Sequence, residues 1–209
     1  MPEGASPAIR LMLVTDDRLL RGRDLVALCQ AAEQGGVTSI QVRRPLATPR
    51  ELAATVRAVL GAVRVPVLVS DRADVAIACG AAGVHLGPAE VPVQVIRRIA
   101  PRGFLIGASV GALAEVENGR GADYWAVGPV RVTDAVGGTA AALGVDGFAA
   151  IVRRGEGRPC IATGGIRAED VASVCSVGGA GVAVATGILA SHDAFAGARR
   201  YARVLPVAP

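Results

Sequence analysis

Two short glycine-rich segments near the C-terminus have the composition of a phosphate-binding site. The first is A-T-G-G-I at residues 162–166, and the second is G-V-A-V-A-T-G-I at residues 181–188. Each follows a short apolar run and opens a segment with helical character. Backbone N–H groups at a helix start, next to a threonine hydroxyl, bind a phosphate dianion readily. We therefore predict that Gly164, Gly165 and Thr186 bind a phosphorylated small molecule.

Two carboxylates, Asp71 and Glu90, follow other apolar runs of the chain. Hard oxygen ligands of this kind suit Mg²⁺ that is held jointly with phosphate oxygens. The alternative is that both are solvated surface carboxylates, as most acidic residues are. Arg43 ends a third apolar run, where its charge needs an anionic partner or solvent.

Short apolar runs alternate with amphipathic stretches along the whole chain, which indicates repeated strand–helix units. Repeated alternation is typical of α/β folds, and eight units favour a single (β/α)8 TIM barrel over an open sheet. We expect one domain over residues 1–209, with a flexible segment at residues 1–8 and a lid-like loop at 131–144. The predicted strands cover residues 10–15, 37–43, 65–70, 83–86, 104–109, 124–130, 160–163 and 181–185.

A barrel places its chemistry at the C-terminal ends of the strands. The predicted rim therefore contains one arginine, the two carboxylates, the glycine-rich turns and several hydroxyl or amide side chains. The residues concerned are Gln41, Arg43, Ser70, Asp71, Glu90, Ser109, Thr133, Gly164, Gly165 and Thr186.

The composition excludes several classes of function. The chain has no lysine, so all 22 basic residues are arginine and Schiff-base catalysis by lysine is excluded. Aromatic residues make up only 3%, and no basic tail accompanies the net charge of +4, which argues against nucleic-acid binding. No apolar run is long enough to span a bilayer.

The cysteines and the N-terminal residues indicate the cellular compartment of the protein. The four cysteines show neither C-x-x-C pairing nor metal-like spacing, so we interpret them as small apolar residues in a reducing compartment. The first residues lack the basic and apolar regions of a signal peptide. We therefore expect a cytoplasmic location.

Eight ordered segments carry a family resemblance along nearly the whole chain. They are L-V-T-D (13–16), I-Q-V-R (40–43), V-S-D-R-A-D-V-A (69–76), G-V-H-L-G (83–87), I-G-A-S (106–109), A-D-Y-W-A-V-G-P-V (122–130) and the two glycine-rich segments. Together they resemble the thiamine-phosphate synthase superfamily, which also contains thiazole tautomerases of the TenI type. The resemblance implies a TIM barrel that joins hydroxymethylpyrimidine diphosphate to thiazole phosphate and releases pyrophosphate.

The resemblance also implies roles for the rim residues. Asp71 and Glu90 would hold Mg²⁺, and Ser109 would lie close to the reacting groups. Arg43 would act in catalysis and, with Gln41 and Ser70, would line the pyrimidine and diphosphate pocket. The thiazole phosphate would be bound by Thr133, Gly164, Gly165 and Thr186. Barrels of this kind often form homodimers.

Several positions depart from the family pattern. Synthases usually have R-E-K where this chain has Arg43, Arg44 and Pro45, and T-x-T-K where it has residues 133–136. Two lysines are therefore missing, and Arg44 and Arg131 are candidates to supply their charges. The histidine of the tautomerases is replaced by Gly111. A thiazole tautomerase, or a catalytically silent protein that binds thiazole phosphate or thiamine phosphate, stays open as an alternative.

Overall fold

A closed barrel of eight parallel strands forms the centre of the molecule in a computed structural model, which describes residues 8–132 and 141–206. Consecutive strands pair in parallel around the barrel, and β1 closes it by pairing with β8, with Leu11 opposite Val182. The strands are β1 Leu11–Val14, β2 Ser39–Val42, β3 Val67–Ser70, β4 Gly83–Leu86, β5 Leu105–Val110, β6 Tyr124–Val127, β7 Cys160–Ala162 and β8 Gly181–Val184.

Helices connect the strands and surround the barrel. The α-helices are α1 Asp17–Leu20, α2 Leu25–Gln34, α3 Pro49–Ala62, α4 Ala73–Cys79, α5 Val93–Ile99, α6 Gly144–Val152, α7 Val171–Ser176, α8 Thr186–Leu189 and α9 Ala194–Ala202. Among the described residues, 3-10 helices lie at Leu113–Gly119 and Ala168–Asp170. This arrangement confirms the predicted TIM barrel.

Helix α3 shows how the sequence sets these elements. The Thr48 side chain accepts a hydrogen bond from the Glu51 amide, and the Glu51 carboxylate accepts one from the Thr48 amide. This capping box and the proline at the first helical position start the helix. Its buried side chains, Leu52, Val56 and Val59, recur at helical spacing and pack against the strands.

Two apolar layers hold the fold together. The larger layer lies between strands and helices, and the smaller fills the barrel interior with side chains that include Met12, Leu68, Tyr124 and Ile161. The Tyr124 ring needs a glycine on the next strand. An ideal Cβ at Gly107 would lie 2.5 Å from Cε1 of that ring, so no larger residue fits there without displacing it.

The predicted elements agree with the structure apart from their ends. The sixth strand ends at Val127 rather than at residue 130, because Pro129 has no N–H to extend the ladder. The helix that follows β5 is a 3-10 helix. The predictions for residues 1–8 and 131–144 fall largely on residues 1–7 and 133–140, outside the described part. Within that part, no helix is long and apolar enough to cross a membrane.

Candidate active site

A cavity of about 820 Å³ opens at the C-terminal ends of β1, β2, β7 and β8. The turn after β7 and the start of α8 form one wall, with Thr163, Gly164, Gly165 and Thr186. Four guanidinium groups also line the cavity, so it suits an anionic ligand. They belong to Arg18, Arg43, Arg167 and Arg200.

The two glycine-rich turns present unused backbone donors to this cavity. Gly164 and Gly165 have φ values of +80° and +66°, which favour glycine, and Thr186 begins α8. The amides of Gly165, Thr186 and Gly187 donate no hydrogen bond to any other described residue. Amides without internal partners next to arginines are what a phosphate group requires.

The two arginines that are candidates to replace the missing lysines form hydrogen bonds to other side chains. Arg44 Nε donates to Asp17 Oδ1 at 3.0 Å, and its Nη1 donates to Thr55 Oγ1 at 2.7 Å. Arg131 binds the Asp170 carboxylate through two hydrogen bonds of 2.8 and 2.6 Å. The guanidinium of Arg131 holds the pKa of Asp170 below its usual range. Neither arginine lines the cavity.

Asp16 holds two cavity arginines in place. Its side chain is buried and forms ion pairs with Arg18 at 2.7 Å and with Arg43 at 3.7 Å. The hydrogen bonds from Arg18 lower the pKa of the Asp16 carboxyl. The Arg43 amide also donates to Thr15 Oγ1 at 2.8 Å, which fixes the backbone at the end of β2. Arg43 is therefore positioned by both its backbone and its side chain.

Gln41 and Ser70 form a buried polar pair on neighbouring strands. The side-chain amide of Gln41 donates to Ser70 Oγ at 2.7 Å. The Gln41 carbonyl oxygen and the Ser70 hydroxyl proton are then available to a ligand. A pyrimidine offers both donors and acceptors at its edge, which such a pair can bind.

The side chains of Asp71 and Glu90 both lie beside Gly87. An ideal Cβ at Gly87 would lie 3.5 Å from Asp71 Oδ1 and 3.5 Å from Glu90 Cγ, which places both side chains on the same side of this residue. Asp71 has a φ of +65°, and its Oδ1 accepts the Gly87 amide at 3.1 Å. Such backbone strain is common at functional positions.

The donor set of this pair fits Mg²⁺, because both ligands are hard oxygens from the segments that follow the adjacent strands β3 and β4. Partial burial raises the pKa of Asp71, although the Gly87 hydrogen bond and the charge of Arg43 oppose the shift. In the described part of the chain, no group of three or more metal-binding side chains occurs. A cation held by two carboxylates would need oxygen atoms from a phosphate group or water to complete its coordination.

Ser109 lies at the end of β5 and contacts a buried histidine. His85 Nε2 is 2.9 Å from Ser109 Oγ, and His85 Nδ1 is 3.0 Å from the Tyr124 hydroxyl. Burial lowers the pKa of His85 to about 4, so the ring is neutral at pH 7. Burial raises the pKa of Tyr124, which therefore stays protonated.

Comparisons with known proteins settle the family. The sequence model described as "Thiamine monophosphate synthase" matches residues 11–188. The chain belongs to the thiamine monophosphate synthase family. A thiamine-phosphate synthase from Azorhizobium caulinodans is 39% identical over 196 residues, which cover 91% of this chain and 92% of that protein. One from Methanoculleus marisnigri is 40% identical over 194 residues, with 90% and 92% coverage.

Solved structures agree with this membership. A thiamine phosphate pyrophosphorylase from Pyrococcus furiosus matches with a TM-score of 0.85 and 32% identity over 96% of each chain. A 3-hexulose-6-phosphate synthase from Salmonella typhimurium matches with a TM-score of 0.73 at 20% identity, over 94% of this chain and 98% of that one. The second match shows a shared fold only.

The site residues predicted from the sequence fall into two groups, those that line the cavity and those that lie outside its wall. Arg43, Gly164, Gly165 and Thr186 line the cavity. Along the ends of β2 to β5, and not in the cavity wall, lie Gln41, Ser70, Asp71, Glu90 and Ser109. Arg43 connects the groups, because it lines the cavity and its charge acts on Asp71. Thr133 lies outside the described residues.

Some cavity residues carry no signal in the sequence. Arg167 directly follows the β7 turn and could have been suspected, whereas Arg200 comes from α9, far from any motif. Arg18 could have been found from its place two residues after Asp16, the N-cap of α1.

Proposed function

We propose that this chain is a transferase that joins hydroxymethylpyrimidine diphosphate to thiazole phosphate and releases pyrophosphate. One structural observation supports this assignment most directly. The glycine-rich turns and four arginines line one cavity, and the polar strand ends of β2 to β5 continue from Arg43 at its edge. Two phosphorylated substrates can therefore lie side by side with Arg43 between them.

The chemistry breaks one bond and forms another. The bond between the pyrimidine methylene carbon and the diphosphate oxygen breaks, and its electron pair leaves with the diphosphate. The thiazole nitrogen then gives its lone pair to the carbocation, so no proton has to move. Catalysis of this kind consists of positioning the substrates and stabilising the developing negative charge.

Each group of residues has a task in this reaction. Gln41 and Ser70 orient the pyrimidine, and Arg43 stabilises the departing diphosphate. The turns at Gly164 and Thr186 hold the thiazole phosphate, which places the thiazole nitrogen near the methylene carbon. Asp71 and Glu90 would hold Mg²⁺, whose charge offsets that of the diphosphate when it is bound.

A direct assay tests the proposal. The purified protein is incubated with both substrates and Mg²⁺, and thiamine phosphate and pyrophosphate are measured. We expect equal amounts of both products, and Arg43→Ala should slow their formation by at least tenfold. Arg44→Ala is the matched control, because Arg44 is bound to Asp17 and lies outside the cavity. No thiamine phosphate at high enzyme concentration would eliminate the synthase assignment.

The geometry disfavours the tautomerase, and the assay tests the silent binding protein. A tautomerase needs an accessible general acid–base. Both ring nitrogens of His85 are engaged inside the barrel, and Gly111 stands where the tautomerases have histidine. A silent binding protein would bind thiazole phosphate without turnover, which the same assay detects. The cytoplasmic location and the homodimer stay predictions, and a measurement of native mass tests the second.

A further inference from the structure

His85 is a polar ring inside the barrel, where most neighbours are apolar. It is only 6% exposed and lies on β4, between β3 and β5. Its two ring nitrogens have different partners, the hydroxyl groups of Tyr124 and Ser109. The three side chains therefore form a single hydrogen-bonded chain that runs from the barrel interior to the substrate end of β5.

The direction of the hydrogen bonds in this chain follows from the partners of Tyr124. A phenol is a good donor and a poor acceptor, so its proton goes to the better acceptor nearby. The choice lies between His85 Nδ1 at 3.0 Å and the thioether sulfur of Met12 at 4.0 Å, and the imidazole nitrogen is closer and stronger. The Tyr124 hydroxyl therefore donates to Nδ1, and a neutral ring must then carry its proton on Nε2.

The hydrogen bond from His85 determines whether the Ser109 hydroxyl donates or accepts towards a ligand. Since Nε2–H donates to Ser109 Oγ at 2.9 Å, the Ser109 hydroxyl proton is left to point elsewhere. Ser109 is partly exposed at the end of β5, so the partner of that proton is a ligand or water. A diphosphate offers only acceptors at neutral pH, which matches a hydroxyl that is restricted to donating.

We propose that His85 and Tyr124 are positioning residues that fix the Ser109 hydroxyl as a hydrogen-bond donor to the departing diphosphate. This proposal rests on the proposed function. It assigns Ser109 to stabilising the leaving group, and it excludes Ser109 as a base activated by His85, because Nε2 already carries a proton. Gly107, two residues before Ser109 on β5, leaves the space that the Tyr124 ring needs to reach His85.

Nuclear magnetic resonance distinguishes the two tautomers of the His85 ring directly. The chain has only two histidines, so ¹⁵N-labelled histidine gives signals from His85 and from the exposed His192, which serves as internal reference. We expect the Nε2–H tautomer for His85 at pH 7. Tyr124→Phe removes the donor to Nδ1 and should shift His85 towards the other tautomer. A wild-type His85 with its proton on Nδ1 would overturn the proposal.

Inorganic pyrophosphate separates this proposal from the proposed function. Added pyrophosphate with Mg²⁺ should move the His85 Nε2 signal in the wild-type protein and leave it unmoved in Ser109→Ala. If the chain makes no thiamine phosphate but this response is seen, the proposed function fails and the hydrogen-bond chain stands. No response at saturating pyrophosphate would refute the contact between Ser109 and the diphosphate.

Kinetics test the positioning role. His85→Leu should lower kcat at least tenfold with an unchanged KM for thiazole phosphate. His85→Gln should restore kcat to within about threefold of wild type, because its amide N–H can replace Nε2–H. Ser39→Ala is the control, since Ser39 is fully buried on β2 and its hydroxyl has no partner among the described residues. Equal kcat values for the Gln and Leu variants would contradict the role.

Discussion

Substituting Gly164 with alanine tests whether the turn after β7 binds phosphate. Gly164 has a φ of +80°, and an ideal Cβ there would lie 2.5 Å from Pro129 Cα. An ordinary contact needs at least 3.4 Å, so the turn and the Pro129 segment must separate by about 0.9 Å. Both segments are constrained, because Val130 N donates to Thr163 O at 2.9 Å and Arg131 N donates to Gly164 O at 3.0 Å.

The expected rise in the KM for thiazole phosphate follows from hydrogen-bond geometry. A shift of about 0.9 Å takes an amide–phosphate bond of about 2.9 Å beyond hydrogen-bond distance. Each lost bond to a charged group costs about 1.5–3 kcal/mol, and about 1.4 kcal/mol corresponds to a factor of ten. We therefore expect the KM for thiazole phosphate to rise about 10- to 100-fold in Gly164→Ala.

A second glycine provides a matched control for backbone strain. Gly103 has a φ of +78° at the opposite end of the barrel, before β5, and a Cβ there would have nothing within 4 Å. Both substitutions carry about the same strain, about 1 kcal/mol in free energy of unfolding, whereas only Gly164→Ala also displaces a neighbour. Gly103→Ala should lower stability and leave the KM unchanged.

The assay is a steady-state titration of thiazole phosphate at saturating pyrimidine diphosphate, together with urea unfolding of both variants. The KM of Gly164→Ala should rise relative to that of Gly103→Ala, and the pyrimidine KM should stay within about twofold of wild type. An unchanged thiazole phosphate KM in a folded Gly164→Ala variant would refute phosphate binding at this turn.

Three further predictions concern charged side chains. Asp71→Asn should raise the Mg²⁺ concentration for half-maximal activity at least tenfold, with Asp74→Asn, an exposed carboxylate paired with Arg72, as control. Arg43→Lys should raise the KM for the diphosphate substrate about tenfold because lysine lacks the guanidinium fork, and Arg44→Lys should not. Asp170→Ala should lower the free energy of unfolding by about 1 kcal/mol or more at pH 7, measured by urea titration, because its carboxylate accepts the Arg167 amide at 2.9 Å. Since the folded state lowers the pKa of Asp170, this contribution is complete above about pH 4, the pKa of an unfolded aspartate, and is lost progressively as the pH falls from there through the lowered pKa of the folded state.

Each of the last three predictions has an outcome that contradicts it. An unchanged Mg²⁺ requirement in Asp71→Asn would place the cation elsewhere. Equal effects of Arg43→Lys and Arg44→Lys would mean that Arg44 leaves Asp17 to reach the substrate. A stability difference for Asp170→Ala that does not narrow at all as the pH falls below about 4 would show that the loss comes from packing and not from the charge.

The barrel could be predicted from the sequence because its strands are buried on both faces. Segments such as V-L-V-S at Val67–Ser70 are almost continuously apolar, which is typical of a parallel sheet covered by helices. The polar residue at the end of each run, such as Ser70 or Ser109, then falls at the C-terminal rim without further information. The candidate residues at the strand ends can therefore be predicted from the positions of the apolar runs alone.

Contacts between elements far apart in the sequence could not be predicted in this way. His85 and Tyr124 are 39 residues apart, and nothing in either segment indicates that they meet. The glycine at position 107 is a weak signal, since a glycine inside a strand often marks a close approach. The contribution of Arg200 is harder still to predict, because Arg200 lies on α9, far along the chain from the glycine-rich turns with which it lines the cavity.

The absence of lysine has a structural consequence that counting charges does not reveal. Arg44 and Arg131 follow the strands after which the resemblance predicts lysines, yet Asp17 and Asp170 each accept two hydrogen bonds from them. Arg131 uses two nitrogens, Nε and Nη2, and so forms a bidentate pair, whereas both bonds of Arg44 come from its Nε. A lysine ammonium lacks this fork and is held less firmly by a carboxylate.

We expect the cations for the diphosphate to come instead from the cavity wall at the ends of β1 and β2. There Asp16, a single buried carboxylate, is in contact with both Arg18 and Arg43 and keeps them next to each other. Because Asp16 is also the N-cap of α1, its position is set by the backbone and not by the ligand. The arginines on this wall are therefore organised before the substrate arrives, which lowers the entropy lost on binding.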